Sequence, residues 1–135
     1  CPPSLTLLTV MSLVAADELL VPLQTEFFAL EGITQLVKTI DRIKINLNPQ
    51  LKIRGILLTM FDRRNKLSAE VENEARSYFK EKVYGTVVPR NVRLSEAPSH
   101  GVPVLLYDKS CPGSKAYFGF TEEFLNQDKV VESAA

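Results

Sequence analysis

The sequence predicts an α/β protein in which a parallel sheet carries flanking helices. Three observations carry this expectation. Short apolar runs of strand length alternate with longer amphipathic stretches, the order in which strands and crossover helices build a layered sheet. Residues 53–61 form a mostly continuous apolar run, suited to a parallel strand covered on both faces. Between such runs the apolar spacing switches to three and four, most clearly through Leu30, Ile33, Val37, Ile40, Ile43 and Leu47, with Ile45 beside them.

Each element has its own local reason. Proline is tolerated in a first helical turn, so Pro2 and Pro3 allow a helix over residues 5–15. Residues 19–23 read as a short buried strand with Pro22 at its carboxyl end, because proline cannot donate to an interior ladder. A helix over residues 27–47 stops at Asn48 and Pro49. After the strand at 53–61 and a loop, Ser68 is the expected N-cap of a helix that buries Val71, Ala75, Tyr78 and Phe79 and ends in Lys80 and Lys82, as the helix dipole prefers. Residues 83–89 are expected as a strand, 90–101 as a polar loop, and 102–107 as the last strand. The final helix is expected over residues 114–125, with Tyr117, Phe120 and Phe124 on one face; residues 126–135 lack a strong pattern and are expected to fray.

Composition narrows the function. The 135 residues contain 16 Lys+Arg and 16 Asp+Glu, which excludes a binder held to nucleic acid by bulk charge but leaves room for a local basic patch. Cys1 and Cys111 are too few for a disulfide scaffold, so a reducing cytoplasm is the default. The apolar run at 5–16 is too short to span a bilayer and lacks a basic leading region. The opening at Cys1, without a Met or a polar lead-in, suggests a piece of a longer protein.

In parallel sheets, ligands sit beyond the carboxyl ends of the strands, which directs attention to the loops after Met60, Pro89 and Tyr107. The first two bring Arg63, Arg64, Lys66, Arg90 and Arg93 to one edge, a cationic concentration suited to phosphates; an ordinary solvated loop surface is the alternative. His100 has no positioned nucleophile or metal-ligand cluster beside it and receives no catalytic role. Ser95 and Glu96 read equally well as a cap or turn. No glycine arrangement for cradling phosphates occurs.

Several stretches nevertheless resemble a known family. Pro2-Pro3-Ser4-Leu5, Ala15-Ala16-Asp17, residues 22–32, residues 55–62 and above all Pro89-Arg90-Asn91-Val92-Arg93-Leu94-Ser95-Glu96-Ala97-Pro98-Ser99-His100-Gly101 look like the carboxyl-terminal half of the ParA/Soj chromosome-partitioning ATPases. The resemblance implies a P-loop-type fold with a variant Walker A loop, residues 1–125 being its carboxyl-terminal part. It further implies ATP and Mg²⁺ as cofactors, ATP-dependent homodimerisation, non-specific DNA binding by the dimer and a ParB-like partner. The place implied is the bacterial cytoplasm and its nucleoid, with no membrane attachment. By that resemblance Met60, Pro89, Arg90 and Asn91 would approach adenine, and Pro2, Pro3 and Ser4 would form the switch segment. Arg64 and Arg93 would contact DNA phosphates, assisted by Arg63 and Lys66.

The physics of the residues is compatible with these roles. Met60, Pro89 and Asn91 offer flat apolar surface and an amide, and phosphate binding needs exposed guanidinium groups free of buried partners. The chain departs from the family pattern at Thr6, where Gly is usual, at Met11, where Asn is usual, and in Lys109-Ser110-Cys111-Pro112. Without a Walker A loop or the Walker B Asp, this chain is not expected to hydrolyse ATP by itself. Alternatives are a segment of a membrane-associated MinD-like positioning ATPase, disfavoured by a tail without a basic amphipathic face, or a non-catalytic remnant serving as an interaction module. A half sheet is also expected to expose strand edges and apolar helix faces.

Overall fold

The computed structural model describes residues 6–134, so the expected switch residues Pro2, Pro3 and Ser4 lie outside the described residues. Along the chain run α1 (Leu7–Ala15), β1 (Glu18–Gln24), α2 (Ala29–Asn46), β2 (Lys52–Thr59), α3 (Lys66–Phe79), α4 (Val92–Glu96), α5 (Val104–Tyr107) and α6 (Pro112–Ala134). Strands β1 and β2 pair in parallel, and the α/β architecture with flanking helices expected from the sequence is present.

Strand alternation divides the core. Ile56 and Leu58 of β2 pack with Leu23, Ile33, Val71 and Ala75 beneath α2 and α3, whereas Leu57 turns the other way to meet Tyr84 and Val88 beneath α6. This is why residues 53–61 read as nearly continuous apolar sequence: both faces are covered. A third cluster joins Leu13 of α1 to Ile40, Ile43 and Leu51. The Asn48 side-chain amide closes that corner by donating to the carbonyls of Leu13, Val14 and Ala16 at 3.2, 3.1 and 2.8 Å, satisfying groups that the end of α1 leaves open. The expected apolar helix face is also there: α1 turns Leu7, Leu8 and Met11 to solvent.

Register is broken once, between Leu19 and Leu20. Leu19 pairs with Ile53 and Leu20 with Gly55, leaving Arg54 as the extra residue of a bulge. Bulges re-aim a side chain. Here the guanidinium of Arg54 reaches Glu18 at 2.8 Å, Asp128 at 2.7 Å and the Phe124 carbonyl at 3.3 Å, and lies 4.1 Å from the centre of the Phe124 ring. Gly55 has to be glycine because a Cβ there would stand 2.6 Å from Tyr84 Cζ.

Several expectations are corrected. Pro22 lies inside β1, which pairs only with β2 among the described residues, an edge position that tolerates proline. The N-cap of α3 is Asn65, whose Oδ1 accepts from the Leu67 amide, and Ser68 is buried in the first turn. Tyr78 is exposed, set edge-on to Phe79, and Ile45 and Leu47 also face solvent. Residues 83–89 follow β2 without becoming a regular strand: Tyr84 and Val88 donate to Ile56 and Leu58, but the Gly85 and Thr86 amides turn away to Glu123 at 2.6 and 2.9 Å. Residues 90–101 are not an open loop but hold α4 and a 3₁₀ turn, Ala97–His100. The strand expected at 102–107 is instead the helix α5, because Pro103 occupies its N-cap and the Leu106 and Tyr107 amides close back onto the Pro103 carbonyl. The last helix does not stop near Leu125 but runs to Ala134, and Tyr84 donates to Gln127 at 2.9 Å while Arg54 holds Asp128.

Candidate functional site

The chain leaves the sheet under strain at Met60, whose φ of 55° lies in the left-handed region that side-chain-bearing residues seldom adopt. Such conformations persist where the surroundings fix them and cluster at functional sites. The surroundings are a small hydroxyl network at the strand ends. Thr25, just beyond β1, places its Oγ1 3.1 Å from the Thr59 carbonyl, 3.2 Å from that of Met60 and 3.4 Å from Ser68 Oγ. Ser68 Oγ in turn accepts from the Asp62 amide at 3.3 Å. Buried Ser68 thereby ties the first turn of α3 to the start of the loop.

A cavity of about 290 Å³ opens at this edge, lined by Thr25, Glu26, Met60, Asp62, Asn65 and Arg90 among others. That size suits one flat ring rather than a whole nucleotide. Of the residues expected near adenine, Met60 and Arg90 line the cavity, with Arg90 Nη2 3.7 Å from Glu26 Oε1. Pro89 stands beside it, bridged to Phe61. Asn91 is used differently: its side chain accepts from the Arg93 amide and caps α4. These residues therefore fit the base of a nucleotide in part. Among the described residues no group of three or more His, Cys, Asp or Glu stands together to hold a metal ion, and no helix is long and apolar enough to cross a membrane.

The two arginines expected to meet DNA differ. Arg64 projects from the loop with its side chain 93% exposed and a single ion pair at 3.4 Å to Asp62 Oδ1. The Arg64 amide, and then its guanidinium, hold the Asp62 carboxyl below its ordinary value. Arg63 and Lys66 are exposed on the same loop and the first turn of α3. Arg93, on α4, has its side chain 51% exposed and no buried partner, but it meets two carboxylates. Its Nη1 lies 3.0 Å from Glu96 Oε2 and its Nε 3.5 Å from Asp108 Oδ2. The Tyr107 hydroxyl donates to the same Glu96 oxygen at 2.9 Å. Tyr107 first, and Arg93 second, hold the Glu96 carboxyl below its usual value, while Glu96 raises the Arg93 guanidinium. His100 stacks on Tyr107 with ring centres 4.9 Å apart, a packing role.

Sequence reasoning missed Thr25 and Ser68 as the pins of Met60, and Glu96, Tyr107 and Asp108 as partners of Arg93. Arg93 and Glu96 carry ion-pair spacing for a helix, three residues apart. That signal is visible only once residues 92–96 are recognised as helical.

A family model described as an AAA domain matches residues 1–53. The chain is 57% identical over all 135 residues to the chromosome partitioning protein ParA of Caulobacter vibrioides, covering 51% of that protein. It is 50% identical over 123 residues, 91% of the chain, to the sporulation initiation inhibitor protein Soj of Bacillus subtilis, covering 49% of it. Among solved structures, cobyrinic acid a,c-diamide synthase from Mycobacterium smegmatis with bound ADP and magnesium matches 96% of the chain and 46% of its own, with TM-score 0.73 and 31% identity. The chain thus spans about half the length of the curated relatives it matches. The resemblance expected from the sequence holds along the chain: relatives 49 to 57% identical to it are named ParA and Soj.

Proposed function

We propose that this chain is the part of a ParA-type partitioning ATPase that supplies the adenine-facing rim and the DNA-contacting arginines. The observation that carries the reading is identity of 57% to a chromosome partitioning protein ParA across every residue of the chain. The solved structural relative holds ADP and magnesium, which supports a nucleotide at the carboxyl edge of the sheet in the complete protein. ATP, when bound there, supplies the hydrolysable phosphate bond. The chain's own share is to seat the base: Met60, held by Thr25, offers an apolar surface and Arg90 a polar rim, with Pro89 alongside.

Non-specific DNA is bound through phosphates by Arg64 and Arg93, with Arg63 and Lys66 adding charge. Two arginines per subunit, doubled in an ATP-bound homodimer, engage about four phosphates, so affinity falls roughly a hundredfold for a fourfold rise in salt. A monomer engages half as many, so dimerisation switches DNA binding without new charge. A ParB-like partner and a nucleoid location in the bacterial cytoplasm belong to the same reading. Gel shifts with the complete protein and ATP test it. Arg64→Ala and Arg93→Ala should each weaken binding to DNA of scrambled sequence; binding equal to the parent in both would discard the site assignment.

A further inference from the structure

We propose that Glu96 and Asp108 form a carboxylate latch on Arg93, which a DNA phosphate must displace, so that Arg93 is the gated member of the arginine pair; this rests on the DNA-contact reading above. The latch is built from two separate stretches of chain. Glu96 closes α4, and Asp108 follows α5.

Each carboxylate is fixed by a partner of its own. Glu96 Oε2 accepts from the Tyr107 hydroxyl at 2.9 Å, and Asp108 Oδ1 accepts from the Ser110 amide and hydroxyl at 3.1 and 3.0 Å. The remaining Asp108 oxygen, Oδ2, faces Arg93 Nε at 3.5 Å. Preset acceptors of this kind hold a guanidinium without ordering long side chains anew, unlike a pair of mobile surface charges.

A bidentate phosphate contact uses two N–H groups on one edge of the guanidinium fork. On Arg93 both Nη1 and Nε already face carboxylates, whereas Arg64 has only one such pairing, at 3.4 Å. DNA therefore meets Arg64 directly and meets Arg93 by exchange. The exchange reaches beyond α4. The Ser114 hydroxyl at the start of α6 donates to the Asp108 carbonyl at 2.6 Å, and Leu94 packs so closely on Gly113 that a Cβ there would stand 2.7 Å from Leu94 Cγ. Glu96 and Asp108 are thus positioning residues that tie release of Arg93 to the junction of α4, α5 and α6.

The test is a double-mutant cycle on the complete protein with ATP and magnesium, reading fluorescence anisotropy on a duplex of scrambled sequence. Glu96→Gln keeps an acceptor for Tyr107 but removes the charge. It should tighten binding about threefold, the scale of one exposed ion pair. In an Arg93→Ala background the same substitution should change nothing. Equal tightening in both backgrounds would reveal a general charge effect and overturn the latch, as would no tightening in a protein that Arg93→Ala weakens. If Arg93→Ala itself leaves binding unchanged, the DNA-contact reading fails instead. Should Glu96→Gln not fold, Asp108→Asn carries the same cycle with the same expected sign.

Discussion

Arg54 and Arg64 stand near opposite ends of β2 and do opposite things. At the amino end a bulge swings Arg54 against Glu18, Asp128 and the Phe124 ring, leaving its side chain 18% exposed. Beyond the carboxyl end Arg64 sits on a loop pinned from within by Thr25 and Ser68, with its side chain 93% exposed. One arginine is a tie between sheet and final helix; the other is charge held out to solvent. The contrast teaches that an arginine's role is set by which remote segments come to meet it. Glu18 and Asp128 lie 36 and 74 residues from Arg54, whereas Asp62 lies two from Arg64.

Breaking the tie should give the largest effect. Arg54→Ala leaves Glu18 to Lys52 alone, takes the cationic partner from half-exposed Asp128 and removes the cation from the Phe124 ring, so the urea unfolding free energy should drop by about 2 kcal/mol, less than a fully buried pair would lose because solvent reaches these groups. Arg64→Ala should leave that free energy within about 0.5 kcal/mol of the parent while weakening DNA binding about tenfold in the complete protein. If Arg64→Ala destabilises as much as Arg54→Ala, the contrast between the two ends is wrong.

Arg93 falls between these extremes, and pH reads its position with a smaller effect. Because the Glu96 carboxyl is held below its usual value, the α4 to α5 contact is complete above the ordinary carboxylate range and is lost only as pH falls through the lowered value. In a carbon-detected NMR titration, Tyr107→Phe should move the Glu96 midpoint upward, and Arg93→Ala should do so by less. An unmoved midpoint in both variants would mean that neither group holds the carboxylate.

Much of this architecture was legible in the residues. The apolar run through Ile56, Leu57 and Leu58 signalled a doubly covered strand, and the spacing of Ile33, Ile40 and Ile43 signalled α2, because both patterns are local. Residues 102–107 misled for an equally local reason: a short apolar run suits a strand or a buried helical turn, and only the closure onto Pro103 decides. Glu123 was invisible as the reason residues 83–89 leave the ladder, since it lies 38 positions beyond Gly85. In the site, the family motif pointed to Met60, Pro89, Arg90 and Asn91, but not to Asn91 being spent on capping α4. Nor did charge alone separate exposed Arg64 from latched Arg93.

The salt dependence of DNA binding tests the central claim most directly. With the complete protein and ATP, the slope of log affinity against log salt should become shallower by about 1.8 in Arg64→Ala, because each dimer then neutralises two fewer phosphates at roughly 0.9 apiece. A slope identical to the parent's would show that Arg64 meets no phosphate and would contradict the assignment of this edge to DNA.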